Sequence, residues 1–362
     1  MLGVMKPPAI HIDNEWPYIL TLLPEDLEES AKRTEALCRC RNVANAAALL
    51  RMALAYAVSD LSLKDVAAWA SALKVAQITG PGLFYRLREA ERWLETLLAQ
   101  TLQQEIGSGP KGWSLRAVDA TVINGPGATG TQWRAHAVTD PVTGKFQSVE
   151  LTDEHIGEGY GLHPMRRGEV VLGDRAYATA RGIAAARQQE AHVVARMNPH
   201  TLRLCDKNRR IISMKSRAKE VPKVGAIEYE LLVPIPPPKT KSHKTWPLCK
   251  AVDWIDLRVV GARTRKKEVI WVLTTLPRQE APALVILQLY RLRWQIELLF
   301  KRLKSLLHLD ALPSRQGPTA RSWMLARLLA AALAQKLIQP AGALSPWGYE
   351  LRSGCPEERI HT

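Results

Sequence analysis

The sequence predicts a mixed α/β core, entered from a helical N-terminal region and interrupted by a β-rich insertion. Three observations predict it. Apolar residues recur at three- and four-residue spacing across 24–105. From Trp113 the spacing changes to the alternation of strands, and one later run, Glu169-Val-Val-Leu-Gly-Asp174, is continuously apolar like a buried central strand. Helical spacing returns after residue 279, behind a stretch of short Val/Ile/Leu runs dense in lysine and arginine.

The elements follow in order. Pro24 suits a first helical position, and Ser62-Leu-Lys-Asp65 has the capping-box form with Asp in place of Glu. Thr79-Gly-Pro-Gly82 reads as a break, after which 83–102 resumes as a helix carrying Arg86, Arg88 and Arg92. Two readings stand for this pair. One is a helix-turn-helix-like DNA reader with an unusually long turn. The other is a bundle whose arginines face water. Strands are expected at 114–119, 133–139 and 146–151, with Pro141-Val-Thr-Gly144 as the turn between the last two. Then come the buried strand at 169–174, a helix at 178–189 and a strand at 193–196. The proline-rich stretch that starts at Pro234 is expected to be an exposed loop through Lys244. A helix carries 290–304, and another runs over 318–339. The expected units are 1–110 (helical, DNA-binding), 111–197 (first part of the core), 198–279 (basic insertion), 280–345 (helical remainder of the core) and 346–362 (tail).

Charge points to the partner. The 362-residue chain carries a formal +15. Residues 201–270 hold 17 Lys and Arg against 7 Asp and Glu, so ten of the fifteen excess charges lie in one internal region. That concentration favours a polyanion such as nucleic acid over a neutral or cationic partner. The five cysteines give neither a paired metal-ligand spacing nor a disulfide framework, and without a leader they suit a reducing bacterial cytoplasm, in association with the nucleoid. No apolar run reaches spanning length; the best, 328–338, is short and holds Lys336.

The chemistry concentrates on the helix at 290–304. At about 100° per residue, Tyr290, Arg293, Lys301 and Lys304 all fall within about 40° of Glu297. Leu289, Leu292, Ile296, Leu299, Leu303 and Leu306 fill the opposite face. One side therefore suits a core, while the other sets one carboxylate among three cations and a phenol. A carboxylate there ligates a hard metal ion, and its neighbours hold phosphate. The plain alternative is a solvated face with ion pairs one turn apart. Asp119 lies within the first core strand and Asp174 ends the most apolar one. A carboxylate in such a place is costly unless paired or metal-bound. Three that converge repel one another, and a pair of divalent cations relieves the repulsion while supporting phosphoryl transfer.

These residues carry a family resemblance. The Tyr-x2-Arg-x3-Glu-x6-Lys pattern of Tyr290, Arg293, Glu297 and Lys304 resembles the signature of insertion-sequence-4 family DDE transposases. With Trp294, Ile296 and Lys301 it is similar to the same segment of the transposon-5 transposase. Val118-Asp119-Ala120-Thr121, followed by Gly125-Pro-Gly127 and Trp133-Arg134, resembles the first acidic motif. Asp174-Arg175-Ala176-Tyr177 resembles the second, with Ala176 where the family commonly has glycine. The resemblance covers roughly 25–350. It implies an RNase H-like catalytic core with a β-rich insertion between the second and third acids, which are 123 residues apart here. It implies that Asp119, Asp174 and Glu297 hold two Mg²⁺ ions, for which Mn²⁺ substitutes, and that Tyr290, Arg293, Lys301 and Lys304 grip DNA phosphates. It also implies that Trp246, Trp254 or Trp271 stacks on a flipped base; the alternative for each is a core tryptophan.

The activity implied is cleavage at the terminal inverted repeats of a mobile element and joining of its 3′ ends to target DNA, by a homodimer holding paired ends. Two alternatives remain open: a catalytically silent or assembly-defective DNA-binding remnant, and a metal-dependent nuclease on the same core. The polar ending from Ser353 to Thr362 departs from the further helices that such enzymes carry. It is read as a possible truncation that weakens pairing of two ends.

Overall fold

The computed structural model describes residues 16–59, 61–102, 112–125, 130, 132–200, 202–238, 246–264, 267–307, 312–313 and 317–338. Several expected features lie outside the described residues: positions 126–127 of the glycine-proline turn, the helix end at 103–105, the loop at 239–245, and the tail at 346–362.

Among the described residues six helices come first: α1 (Trp16–Thr21), α2 (Leu27–Arg33), α3 (Ala46–Val58), α4 (Leu63–Ala72), α5 (Gly80–Glu89) and α6 (Glu91–Leu102). Helix α3 is the hub of this layer. Its sequence is nearly all Ala, Leu and Met, strong helix formers, and ten of its thirteen residues are buried. A helix apolar on all sides belongs in the middle of a core. Asn45 caps it, its side chain accepting from the Ala48 amide at 2.8 Å. The Ser62/Asp65 capping box forms on α4, so Asp serves where Glu is usual.

Three local expectations need correction. Pro24 lies ahead of α2 rather than in its first turn. Thr79-Gly-Pro-Gly82 does not break a helix but starts one: Thr79 is the N-cap of α5 and accepts from the Gly82 amide at 3.2 Å. The helix expected over 83–102 is two helices divided at Ala90.

The core sheet begins with β1 (Leu115–Ile123), β2 (Trp133–Asp140) and β3 (Lys145–Asp153), an antiparallel meander. It continues with β4 (Val170–Gly173), α7 (Ala180–Gln188) and β5 (His192–Arg196). β4 lies parallel to β1, and β5 parallel to β4. The 198–279 region supplies β6 (Leu204–Cys205), β7 (Ile211–Ile212), the short helix α8 (Met214–Arg217), β8 (Ala226–Ile235), β9 (Asp253–Arg263) and β10 (Val269–Thr274). These strands extend the core sheet rather than forming one of their own. β10 pairs antiparallel with β5, giving ten strands in the order β3-β2-β1-β4-β5-β10-β9-β8-β6-β7. The proline-rich stretch also needs correction at its start. Pro234 and Ile235 end β8 opposite Trp254 and Asp253, and Pro236 is buried. β6 pairs with β8 only at Leu232, so that edge makes little demand on the amide that Pro234 lacks.

Three further helices follow among the described residues: α9 (Ala283–Leu292), α10 (Trp294–Leu307) and α11 (Gly317–Ile338). The single helix expected across 290–304 is interrupted at Arg293, the C-cap of α9. α11 returns to pack on α3, α5 and α6, joining the helical layer to the sheet. Arg321 on α11 pairs with Glu91 and Glu95 of α6 and donates to the Leu151 carbonyl of β3 at 2.8 Å.

Strand alternation assigns the two faces of the sheet. Leu115, Ala117, Ile123, Val170 and Leu172 share one core with the helical layer, α9 and α11. Val118, Val171, Val193 and Ala195 face a second core with Tyr160, Tyr177 and α7. Asp119 has the parity of Ala117, and Asp174 that of Leu172, so both belong to the face that carries α9 and α10.

Trp271 of β10 sits 3% exposed opposite Gly261 of β9, and a Cβ at Gly261 would overlap its ring. Gly261→Ala is therefore expected to destabilise the chain by about 1–3 kcal/mol. A fall in the urea midpoint at constant m-value checks it, and an unchanged midpoint refutes the packing.

Candidate active site

The register of β1 against β4 sets the centre of the site. Leu115 pairs with Val170 and Ala117 with Leu172, a constant offset that brings Asp119 level with Asp174. Adjacent strands lie about 4.8 Å apart, so the two carboxylates are neighbours. Their local geometry differs. Asp119 sits within β1 and its Oδ1 accepts from the Ala120 amide at 2.9 Å. Asp174 stands just past β4, where Oδ1 accepts from the Ala176 amide at 2.7 Å and closes a turn. Gly173 precedes it because a Cβ there would strike the Tyr160 hydroxyl and come within 2.8 Å of the Tyr177 Cβ.

A third acid joins them from a segment the sequence reading passed over. Glu158 lies between β3 and β4, and one carboxylate oxygen each of Asp119, Glu158 and Asp174 lie within 4.8 Å of one another. Its flanking glycines, Gly157 and Gly159, were the only signal available. Burial, then the charge of Asp174, holds the Glu158 carboxyl above its usual range. Asp119 is pushed up to about 7, by burial first and by Asp174 among its neighbours. Both shifts come first from burial, which disfavours the charged carboxylate, and the charge of Asp174 adds to each. A cluster of hard oxygen donors of this kind suits a divalent cation.

Glu297 approaches from α10. It stands in the first turn of that helix, where the dipole favours a carboxylate, and pairs with Arg293 one turn back. It lines a cleft of about 500 Å³ with Asp119, Thr121, Phe300, Lys301 and Lys304. Lys301 is exposed and Lys304 half-buried. Burial works against the Arg293 charge, yet the Glu297 hydrogen bond and Tyr290 hold the guanidinium above its ordinary value. Its Cζ lies 5.4 Å from the Tyr290 ring centre. The structure thus gathers Asp119, Asp174 and Glu158 in one cluster, and Asp119, Glu297, Lys301 and Lys304 around one cleft, with Arg293 on Glu297 and Tyr290 behind.

The three tryptophans are placed differently. Trp246 is 8% exposed beneath Arg203, whose Cζ lies 5.0 Å from the ring centre. Trp271 is buried in the sheet. Trp254 is half-buried, with Arg209 at 4.8 Å.

Comparison with known proteins agrees with this chemistry. Residues 111–333 match the transposase DDE domain. The chain belongs to that family. It is 35% identical to the putative transposase InsL for insertion sequence element IS186A of Escherichia coli (strain K12), over 91% of this chain and 95% of the relative. It is equally similar, with the same coverage, to the transposase for insertion sequence element IS421 of Escherichia coli. Among solved structures, the cryo-EM structure of the piggyBac transposase synaptic complex with hairpin DNA superimposes with a TM-score of 0.52 at 8% identity. That match covers 94% of this chain and 79% of the other, and the likeness concerns the fold. The chain is a metal-dependent DDE transposase, with the large mixed α/β sheet of such enzymes. Among the described residues, no helix is long and apolar enough to cross a membrane.

The raised Asp119 value has a measurable consequence. Without metal, the folded chain keeps the Asp119 proton up to about 7, whereas the unfolded chain releases it near 3.8. The native state binds more protons across that window, so this contribution to stability is present below it and is lost as pH rises through it. Asp119→Asn is expected to flatten that slope and raise metal-free stability at about pH 8 by on the order of 2 kcal/mol. Denaturant titrations at the two ends of the window check it; identical slopes for both chains refute the shift.

Proposed function

We propose that the chain is the transposase of a bacterial insertion sequence, of the insertion-sequence-4 type. It cleaves DNA at the terminal inverted repeats of its element and joins the freed 3′ ends to target DNA. The observation that carries this reading is the level placement of Asp119 and Asp174 on adjacent parallel strands, at a cleft whose other wall brings Glu297 with Lys301 and Lys304. The arrangement supports an RNase H-like core for 111–197 and 280–345, with 198–279 as an insertion that adds strands to its sheet. The helices before residue 110 are read as a DNA-binding unit. Their support is a polar groove of about 840 Å³ whose charged lining is Arg39, Arg86, Arg88 and Arg92 against Glu35, Glu89 and Glu91.

In this mechanism Asp119, Asp174 and Glu297 would hold two Mg²⁺ ions, for which Mn²⁺ would substitute. Such ions lower the pKa of an attacking water and stabilise the leaving oxygen of a phosphodiester. Tyr290, Arg293, Lys301 and Lys304 bind backbone phosphates and fix the scissile bond against the carboxylates. Water attacks the phosphodiester at the transposon end and the 3′-oxygen leaves as a hydroxyl; that hydroxyl then attacks a target phosphodiester, whose own 3′-oxygen leaves. No side chain is needed as a nucleophile, so Tyr290 serves as a phosphate contact. Trp254, the least buried of the three insertion tryptophans, is the best placed for base stacking. Two ends must be held together, which calls for a homodimer.

A labelled duplex carrying the element's end tests the chemistry. Asp119→Ala, Asp174→Ala and Glu297→Ala are each expected to remove Mg²⁺- or Mn²⁺-dependent cleavage while DNA binding persists. Cleavage that survives all three changes, or excess chelator, overturns the assignment. The combined Arg293→Ala and Lys304→Ala variant is expected to weaken end binding and lower the slope of log affinity against log salt by about 2. An unchanged slope rejects the phosphate contacts.

A further inference from the structure

Glu158 is held in place from both sides. On its N-terminal side, the Arg134 guanidinium of β2 donates to the Glu154 carbonyl at 3.3 Å and the Ile156 carbonyl at 2.8 Å, fixing the turn that leaves β3. On its C-terminal side, Tyr160 opens a single 3-10 turn and is fully buried. The Tyr160 ring packs 5.3 Å from that of Tyr177, against the space Gly173 leaves open. A surface acid that drifted near the site by chance would not be pinned two residues to either side. Among the described residues, no cation is in ion-pair contact with Asp119, Glu158 or Asp174, while Arg293 is engaged by Glu297.

A second feature points to a ligand. The Tyr177 side chain is fully buried, its hydroxyl has no hydrogen-bond partner, and it lies in the fields of Asp119, Glu158 and Asp174 together. The Tyr160 hydroxyl is likewise buried and without a partner, in the field of Asp174. Buried donors left unmade are costly. Two of them in the field of one carboxylate cluster are donors that an oxygen-rich ligand shell, such as a hydrated divalent cation brings, would satisfy.

We propose that Glu158 is a fourth carboxylate of the metal centre, ligating a divalent cation together with Asp119 and Asp174 and in addition to Glu297. Glu158 reaches the cation from the β3–β4 connection, whereas Glu297 arrives on α10. The cluster therefore presents three carboxylates before α10 contributes anything. The inference rests on the metal-dependent reading of the site, and its test separates the two.

Mn²⁺ binding to the metal-free full-length chain, followed by electron paramagnetic resonance and calorimetry, provides that test. Glu158→Gln is expected to weaken Mn²⁺ affinity by about tenfold or more. Asp119→Asn and Asp174→Asn serve as references, and Glu230→Gln, paired with Lys207 far along the insertion, as a control that leaves affinity unchanged. Fe²⁺ loaded in place of Mn²⁺, with peroxide and ascorbate, is expected to cut the wild-type backbone near 158 as well as near 119 and 174. This readout needs no variant and decides the matter if Glu158→Gln does not fold. Wild-type affinity in Glu158→Gln, with losses in the two Asp variants and no cut near 158, overturns the role of Glu158 and leaves the DDE reading intact. Absence of Mn²⁺ binding by the wild-type chain, with and without DNA, overturns both.

Discussion

The parallel pairing of β1 with β4 is the constraint on which the rest depends. Its offset brings two aspartates level on neighbouring strands, at a spacing where two anions repel. Burial first, and the charge of Asp174 after it, push Asp119 up to about 7, while its Oδ1 accepts from a backbone amide and Asp174 accepts from another in the turn that follows β4. A centre of this kind is costly to keep empty, and that cost is what a divalent cation entering it would relieve.

The helical frame serves this centre from a distance. α11 carries little chemistry, but it ties the two ends of the molecule together. The Ser322 hydroxyl donates to the Leu87 carbonyl at 2.6 Å, Arg327 donates to the Ala57 carbonyl, and Gln335 accepts from the Phe146 amide at 3.3 Å. The first helices, the last helix and the β3 edge thus share one apolar core with the inner face of β1 and β4. That common core fixes the wall against which α9 and α10 rest, and through it the position of Glu297.

Much of this was legible in the sequence. Val-Val-Leu-Gly ahead of Asp174 announces a buried strand, and the leucine face of 289–306 announces helix. What was not legible has physical reasons. Parallel register is set by tertiary packing, so nothing near Asp119 names Asp174 as its neighbour. The helix interruption at Arg293 involves neither proline nor glycine, and the apolar period runs through it unbroken. The strands of 198–279 show their alternation, but the choice of β5 as partner for β10 joins residues such as Arg196 and Val272 that are distant in the chain. Proline runs read as loop, yet Pro234 ends a strand because β9 supplies its partner. Glu158 sits in a connection with no period at all. Its place follows from where Arg134 and Tyr160 anchor, and neither anchor is visible without the fold.

The continuity of the ten-stranded sheet has a consequence for how the enzyme comes into being. A ribosome releases Asp119, Glu158 and Asp174 early, and β1, β4 and β5 can gather around them. Glu297 leaves the ribosome only after the strands of 198–279, and the pairing of β10 with β5 that precedes α9 joins residues far apart in the chain, a kind of contact that closes slowly. A nascent chain therefore carries the acidic cluster but not the helix that completes the cleft.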